Sequence, residues 1–200
     1  VGINGYGRIG RCTLRAIYEL GLEDKFEVVA INAAGDLKTN AHLTKYDTTH
    51  GRFRTSVETE GENTLIVAGR KIPFYSTKNP KDIDWGDHGV DVLLECTGAY
   101  TSKAKAQALL EQNAKRVLIS APGGDDVDAT IVYGVNHDIL TKDMTVVSNA
   151  SYGRSSVSIE TRWGREFHPI RDYAIFSGNR SGNAGAVGEE EAVAQRPLVA

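Results

Sequence analysis

The chain has 200 residues, 40% of them hydrophobic and 24% charged, with a formal net charge of −3. That length suits one large domain or two small ones, and the composition excludes a collagen-like, low-complexity or strongly disordered chain. The mild negative charge argues against a general nucleic-acid or membrane-surface binder, which needs a basic excess. Apolar runs such as 90–94 fall far short of the roughly 18 residues of a membrane-spanning helix.

The chain opens with a short apolar strand at 1–4, a glycine turn at 5–10, and a helix whose stripe is Ile9, Cys12, Ala16, Ile17 and Leu20, stopped by Gly21. A second strand is expected at 27–32 (EVVAIN) and a short helix at 40–46. The segments 54–60, 65–68 and 71–76 alternate around Gly61 and Gly69 as antiparallel hairpins do. Residues 90–96 are apolar on both faces, which suits a buried parallel strand. A helix follows at 102–113 with Thr101 as its expected N-cap, then strands at 116–120, 129–133 and 145–147. Strands separated by helices imply a doubly wound, mostly parallel α/β sheet, with the hairpins as an antiparallel insertion.

The turn Gly5-Tyr6-Gly7-Arg8-Ile9-Gly10 fits G-x-G-x-x-G in the place where that pattern has meaning, after a strand and before a helix. The first glycine permits the tight turn, the second lets backbone approach a diphosphate, and the third lets helix and strand pack closely. Free N–H groups and the positive dipole end of the helix then face the anion. A dinucleotide site should carry an acidic residue at the tip of the second strand, yet the tip reads Asn32-Ala33-Ala34-Gly35-Asp36. Asp36 is either a group that reaches back or a solvated turn residue. Without a carboxylate at the tip, NADP is admissible beside NAD. Lys38 and Thr39 are candidate phosphate ligands or plain surface groups.

Other chemistries lack their signatures. Cys12 and Cys96 stand 84 positions apart with no disulfide or C-x-x-C spacing, and both fall on apolar stripes as small core residues. The opening VGINGYGR shows no basic region followed by an apolar stretch, so no signal peptide is expected and a cytoplasmic location is the default. His42, His50, His88, His137 and His168 have no metal-ligand spacing, so no metal site is expected.

Taken in order, VGINGYGRIGR, VVAIN, KYDTTHGRF, ECTG, ISAP, DATIVYGVN and VVSNAS resemble the cofactor-binding half of phosphorylating glyceraldehyde-3-phosphate dehydrogenases, from Val1 to Ser151. Erythrose-4-phosphate dehydrogenase is a close relative that these motifs do not separate. The resemblance implies a Rossmann-type domain over 1–151 that holds NAD or NADP. Beyond the glycines, it implies that the backbone at Arg8 and Ile9 contacts the diphosphate. Asn32 and Ala33 would lie by the adenosine ribose and Lys78 beside the adenine. Thr97 and Gly98 would lie beneath the cofactor, Ser120 near the nicotinamide side, and Asn149 on the strand leading to the nucleophile. In the family a cysteine thiolate adds to the aldehyde, hydride passes to the nicotinamide, and inorganic phosphate releases an acyl phosphate.

The resemblance breaks at the chemistry. The family places its cysteine directly after S-N-A-S, and this chain has Tyr152 there, a phenol with an ordinary pKa near 10. The family's later histidine has no counterpart; His168 stands in no matching motif. Residues 1–150 hold 10 Lys and 7 Arg, whereas 151–200 hold 0 Lys and 6 Arg and show little sustained period. Only 173–176 looks strand-like, and the rest reads as loop or tail.

The expectation is a dinucleotide-binding part of an aldehyde oxidoreductase (1–151) with an atypical, irregular tail (152–200), inactive as this chain and with no catalytic residue assigned. A small phosphorylated aldehyde would be a partner only where a catalytic domain is present; neither nucleic acid nor membrane is expected as one. The tail reads as a frameshift, truncation or fusion, or as a divergent segment with its own role. The alternative function is a non-enzymatic nucleotide-binding or interaction protein in which the tail recruits a partner. In the family, oligomer contacts come largely from the other half, so no homo-oligomer is assigned.

Overall fold

The computed structural model describes residues 1–151, 154–156 and 174–175. In chain order these form β1 (Gly2–Asn4), α1 (Arg8–Glu19), β2 (Ala30–Asn32), α2 (Leu37–Lys45), β3 (Tyr46–Asp47), β4 (Gly51–Arg52), β5 (Val57–Glu60), β6 (Thr64–Val67), β7 (Arg70–Tyr75) and β8 (Leu93–Glu95). Then follow α3 (Lys103–Leu110), β9 (Val117–Ile119), β10 (Ala129–Thr130), β11 (Val146–Ser148), β12 (Ala150–Ser151), β13 (Arg154–Ser156) and β14 (Ala174–Ile175). Nine strands make one sheet in the order β10-β11-β9-β8-β1-β2-β7-β6-β5. Pairing is parallel from β10 through β7 and antiparallel for β7–β6 and β6–β5. The doubly wound sheet with an antiparallel edge is therefore as expected.

Strands β1, β2, β8, β9 and β11 are buried along their whole length, as parallel strands covered on both faces must be. Successive residues point to opposite faces, so Leu94 and Leu118 join the cluster around Leu14 and Ile17 of α1. Leu93, Val117 and Ile119 join Trp85 and the α3 residues Ala106 and Leu109. On α1, Cys12, Ala16 and Ile17 are buried as the stripe predicts, Leu20 is more exposed, and Gly21 ends the element at φ 64°.

Several boundaries differ from the sequence reading. Helix α2 starts at Leu37 because Asp36 caps it, accepting from Thr39 N–H at 2.8 Å. The N-cap of α3 is Ser102, not Thr101, with the Ser102 hydroxyl accepting from Lys105 N–H. Asp126 fixes that choice by accepting from the N–H groups of Lys103 and Ala104 at 3.0 and 2.9 Å. Helix α3 stops at Leu110 rather than 113, and Asn113 turns left-handed at φ 62°. The β3–β4 hairpin has no counterpart in the sequence reading. Of the strand expected at 173–176, residues 174–175 are seen as β14, paired antiparallel with β13. Tyr152, His168 and the rest of the tail lie outside the described residues.

Candidate functional site

In a doubly wound sheet the ligand crevice lies outside the carboxyl ends of the strands, where the winding reverses. The central strands β8, β1 and β2 end here in a cleft of about 570 Å³. Among its lining residues are Gly5, Gly7, Asn32, Ala33, Lys78 and Thr97. Six of the twelve predicted site residues thus converge on one cleft, drawn from segments as far apart as Gly5 and Thr97.

The glycine turn has the geometry its sequence requires. Gly5 has φ 97°, and a Cβ there would lie 2.5 Å from Thr97 N. A Cβ on Gly10 would lie 2.4 Å from the Gly5 carbonyl oxygen, so this glycine lets α1 sit against the turn. Gly7 differs, since a Cβ there would meet nothing within 4 Å. As N-cap of α1, Gly7 supplies no side-chain acceptor, and the first turn carries no acidic residue. The N–H groups of Arg8 and Ile9 therefore lack helical partners at an uncapped, positively polarised helix end. That arrangement fits a diphosphate. The Arg8 side chain points elsewhere, to Asp47 at 3.0 Å and the Thr48 hydroxyl at 3.3 Å.

Just past β2 the chain carries Ala33 and Ala34, where a dinucleotide site would carry a ribose-binding carboxylate. Asp36 does not reach back: both its oxygens are engaged by Thr39, one by the backbone N–H and one by the hydroxyl at 2.7 Å. Those bonds hold the Asp36 carboxyl below its ordinary pKa. Thr39 is occupied by the same contact.

The remaining predicted residues are placed by the neighbouring strand ends. Gly98 follows Thr97 at φ 76°. Ser120 follows β9 and donates its N–H to the Glu95 carbonyl at 2.9 Å. Asn149 follows β11, is almost fully buried, and has neither side-chain Nδ2 nor Oδ1 hydrogen-bonded among the described residues. Buried polar groups are normally paired, so a doubly unpartnered amide has capacity for a ligand. Cys96 corrects the sequence reading: it lines the cleft rather than serving only as core. Burial pushes its thiol up to about 12 against an opposing hydrogen bond with Ser120, so it is protonated and unreactive at neutral pH.

Sequence reasoning missed Asn4, which lines the cleft, and Glu95, which lies fully buried behind it. Register pairs Asn4 with both Asn32 and Glu95, setting three polar side chains in a row. Glu95 is fully buried and accepts from Asn4 Nδ2 at 2.5 Å, from Thr97 N–H at 2.7 Å and from the Thr97 hydroxyl. Burial raises its pKa while these donors oppose the rise. The available signal was a carboxylate at the C-terminal end of an otherwise apolar strand, the position where α/β sheets bind ligands.

Among the described residues, no group of three or more His, Cys, Asp or Glu is arranged to hold a metal ion. None of their helices is long and apolar enough to cross a membrane.

Comparison with known proteins matches residues 1–103 to the family described as glyceraldehyde 3-phosphate dehydrogenase, NAD binding domain. A plasmid-encoded glyceraldehyde-3-phosphate dehydrogenase of Cupriavidus necator is 58% identical over 151 residues, 76% of this chain and 45% of the relative. The enzyme of that name from Pseudomonas aeruginosa is 50% identical over the same coverage. That of Lactobacillus delbrueckii subsp. bulgaricus is 52% identical over 160 residues, 79% of this chain and 47% of the relative. The chain thus spans about half the length of the curated relatives it matches.

Proposed function

The chain belongs to the glyceraldehyde-3-phosphate dehydrogenase family, and from that premise we propose that residues 1–151 bind NAD or NADP as the cofactor-holding part of an oxidoreductase acting on a phosphorylated aldehyde. The observation that carries this reading is the uncapped N-terminus of α1, open to the cleft at Gly7 and free of acidic residues. The N–H groups of Arg8 and Ile9 hold the diphosphate, with Gly5 and Gly10 shaping the turn. Asn32 and Ala33 flank the adenosine ribose, Lys78 the adenine, and Thr97 and Gly98 lie beneath the cofactor. Ser120 and Asn149 serve the nicotinamide side, where the unpartnered Asn149 amide offers both its NH2 donors and its carbonyl acceptor. When bound, the dinucleotide supplies the hydride-transferring ring.

Both cofactors are admitted because Ala33 brings no carboxylate to repel a 2′-phosphate and Asp36 is committed to Thr39. By sequence, residues 152–200 stand in place of the family's catalytic part as an atypical tail, and this chain is inactive toward the aldehyde. Its sequence has a phenol, Tyr152, where the resemblance implies a thiolate, and a phenol is overwhelmingly neutral at pH 7.

Fluorescence titration with NADH and NADPH, paired with assays of glyceraldehyde 3-phosphate and erythrose 4-phosphate oxidation, tests the proposal. Saturable binding of both cofactors without turnover of either aldehyde is expected. Folded protein that binds neither cofactor removes the reading, and steady turnover removes its claim of inactivity.

A further inference from the structure

The cleft has two walls, one formed by the segment after β8 at Thr97 and the other by the segment after β7 at Thr77. A buried chain of side-chain hydrogen bonds runs between them across four strands. The Thr97 N–H donates to Glu95 Oε1 at 2.7 Å, and Asn4 Nδ2 donates to Glu95 Oε2 at 2.5 Å. Asn32 Nδ2 donates to Asn4 Oδ1 at 2.8 Å, and the Thr77 N–H donates to Asn32 Oδ1 at 3.1 Å. Asn32 Nδ2 also reaches the Thr77 carbonyl at 3.1 Å.

The direction of this relay is not free. Each end is a backbone N–H, which can only donate. At Thr77 that donor requires the oxygen of Asn32, which turns the Asn32 amide nitrogen toward Asn4. Asn4 must then present its own oxygen to Asn32 and its nitrogen to residue 95. The Thr97 N–H approaches residue 95 from the other side. Position 95 is thus met by obligatory donors on both oxygens, and only a group with two acceptors satisfies them. A carboxylate does so; an amide of the same shape does not.

We propose that Glu95 is a positioning residue of the dinucleotide site, its two acceptor oxygens closing a polar relay that holds the Thr97 and Thr77 walls of the cleft in register. The inference rests on the dinucleotide reading of the cleft. Burying a carboxylate beneath a floor of strands is costly unless it is fully hydrogen-bonded, so the relay is a high-stakes feature in which one reversed group disturbs its neighbours. In Glu95→Gln the new NH2 group faces either the fixed Thr97 N–H or the Asn4 amide. Relief by turning Asn4 passes the same mismatch to Asn32 and on to Thr77.

The relay predicts a rescue. In Asn4→Asp alone, two carboxylates face each other. In the double variant Asn4→Asp/Glu95→Gln, the oxygen of the introduced glutamine accepts from Thr97 N–H, its nitrogen donates to the new carboxylate, and that carboxylate accepts from Asn32. Total charge and every donor–acceptor match are restored.

The test is NADH titration by fluorescence on the full chain and the three variants, well below each thermal midpoint so that lost stability alone leaves affinity unmoved. Each single substitution is expected to weaken NADH by about tenfold or more, and the double variant to return close to the original affinity. Glu95→Gln with a lowered midpoint and unchanged affinity overturns the proposal, leaving Glu95 a purely structural residue. A folded double variant as weak as the singles overturns it, as does one that does not fold while a single variant does. Where neither single variant folds, the double decides: folded and binding supports the relay, any other result refutes it. Loss of NADH binding by the unaltered chain is a different failure, since it removes the dinucleotide reading and this proposal with it.

Discussion

The three glycines of the turn do different physical work, and substitution separates them. Gly10→Ala drives a methyl to 2.4 Å from the Gly5 carbonyl oxygen, and backbone must move to admit it. A loss of about 2 kcal/mol or more is expected, within the range for overpacking a tight contact. Gly5→Ala combines a left-handed φ of 97° with a 2.5 Å clash against Thr97 N, so it is also expected to destabilise. Gly7→Ala encounters no atom within 4 Å and has an extended backbone, so its thermal midpoint should stay within a degree or two of the original. The methyl nevertheless occupies space at the mouth of the α1 N-terminus where a diphosphate would approach. Normal melting with strongly weakened cofactor titration is the expected signature of Gly7→Ala. Unchanged titration would show that the diphosphate does not approach α1 at this residue.

At the scale of elements, legibility followed burial. The strand expected at 90–96 is signalled by its apolar residues, but ladder pairing covers only Leu93–Glu95, where both neighbours are in reach. The β3–β4 hairpin lies in KYDTTHGRF, whose polar residues give no period-two signal. Its turn is closed locally, with Asp47 accepting from the N–H groups of Thr49 and His50, but its anchor to the rest of the fold is distant in sequence. Arg15, nearly fully buried on α1, donates to the carbonyls of Gly51 at 3.1 Å and His50 at 3.4 Å. Its guanidinium also stands 5.1 Å from the centre of the Phe53 ring. Within α1 it pairs with Glu19 one turn on. An arginine in a helical stripe carries no mark that its partners are two carbonyls of a loop 35 positions away, so no local pattern could reveal it. Arg15→Ala removes these bonds and leaves a cavity between α1 and the hairpin. A loss of about 2–3 kcal/mol in urea unfolding is expected, with cofactor affinity unchanged, because the residue is remote from the cleft lining. The candidate site was legible for a related reason. The glycine turn is contiguous and announces itself, whereas Asn4, Asn32 and Glu95 become neighbours only through the register of three parallel strands.

At the scale of the whole molecule, the carboxylates set the response to acid, and they pull in two directions. Burial acts to raise the Asp47 carboxyl, but the N–H groups of His50 and Thr49 together with Arg8 outweigh it and hold the group below its ordinary 3.8. Asp128 behaves alike, with burial overcome by Lys103 and by the N–H groups of Val146 and Thr145. Asp36 and Asp126 are lowered first of all by backbone donors of Thr39 and Ala104. For these four the unfolded chain binds protons more readily, so their stabilisation is complete above pH 3.8 and is lost as pH falls through their lower native values. Glu95 runs the other way. Its native pKa lies above 4.5, so the native state takes up the proton first, and stability declines as pH rises from 4.5 through that native value. The thermal midpoint should therefore change little, or rise slightly, as pH is lowered from neutrality toward 4.5, and then fall below 3.8. Asp47→Asn, which lowers stability by about 1–2 kcal/mol near neutrality, should shrink the acid drop because one of the groups that must protonate has gone. Glu95→Gln should abolish any rise above 4.5. Calorimetric midpoints collected across pH 3–7 for the original chain and both variants check the assignment. A midpoint that falls steadily from neutrality to 4.5 in the original chain, unaltered by either substitution, would mean that other groups govern its acid response.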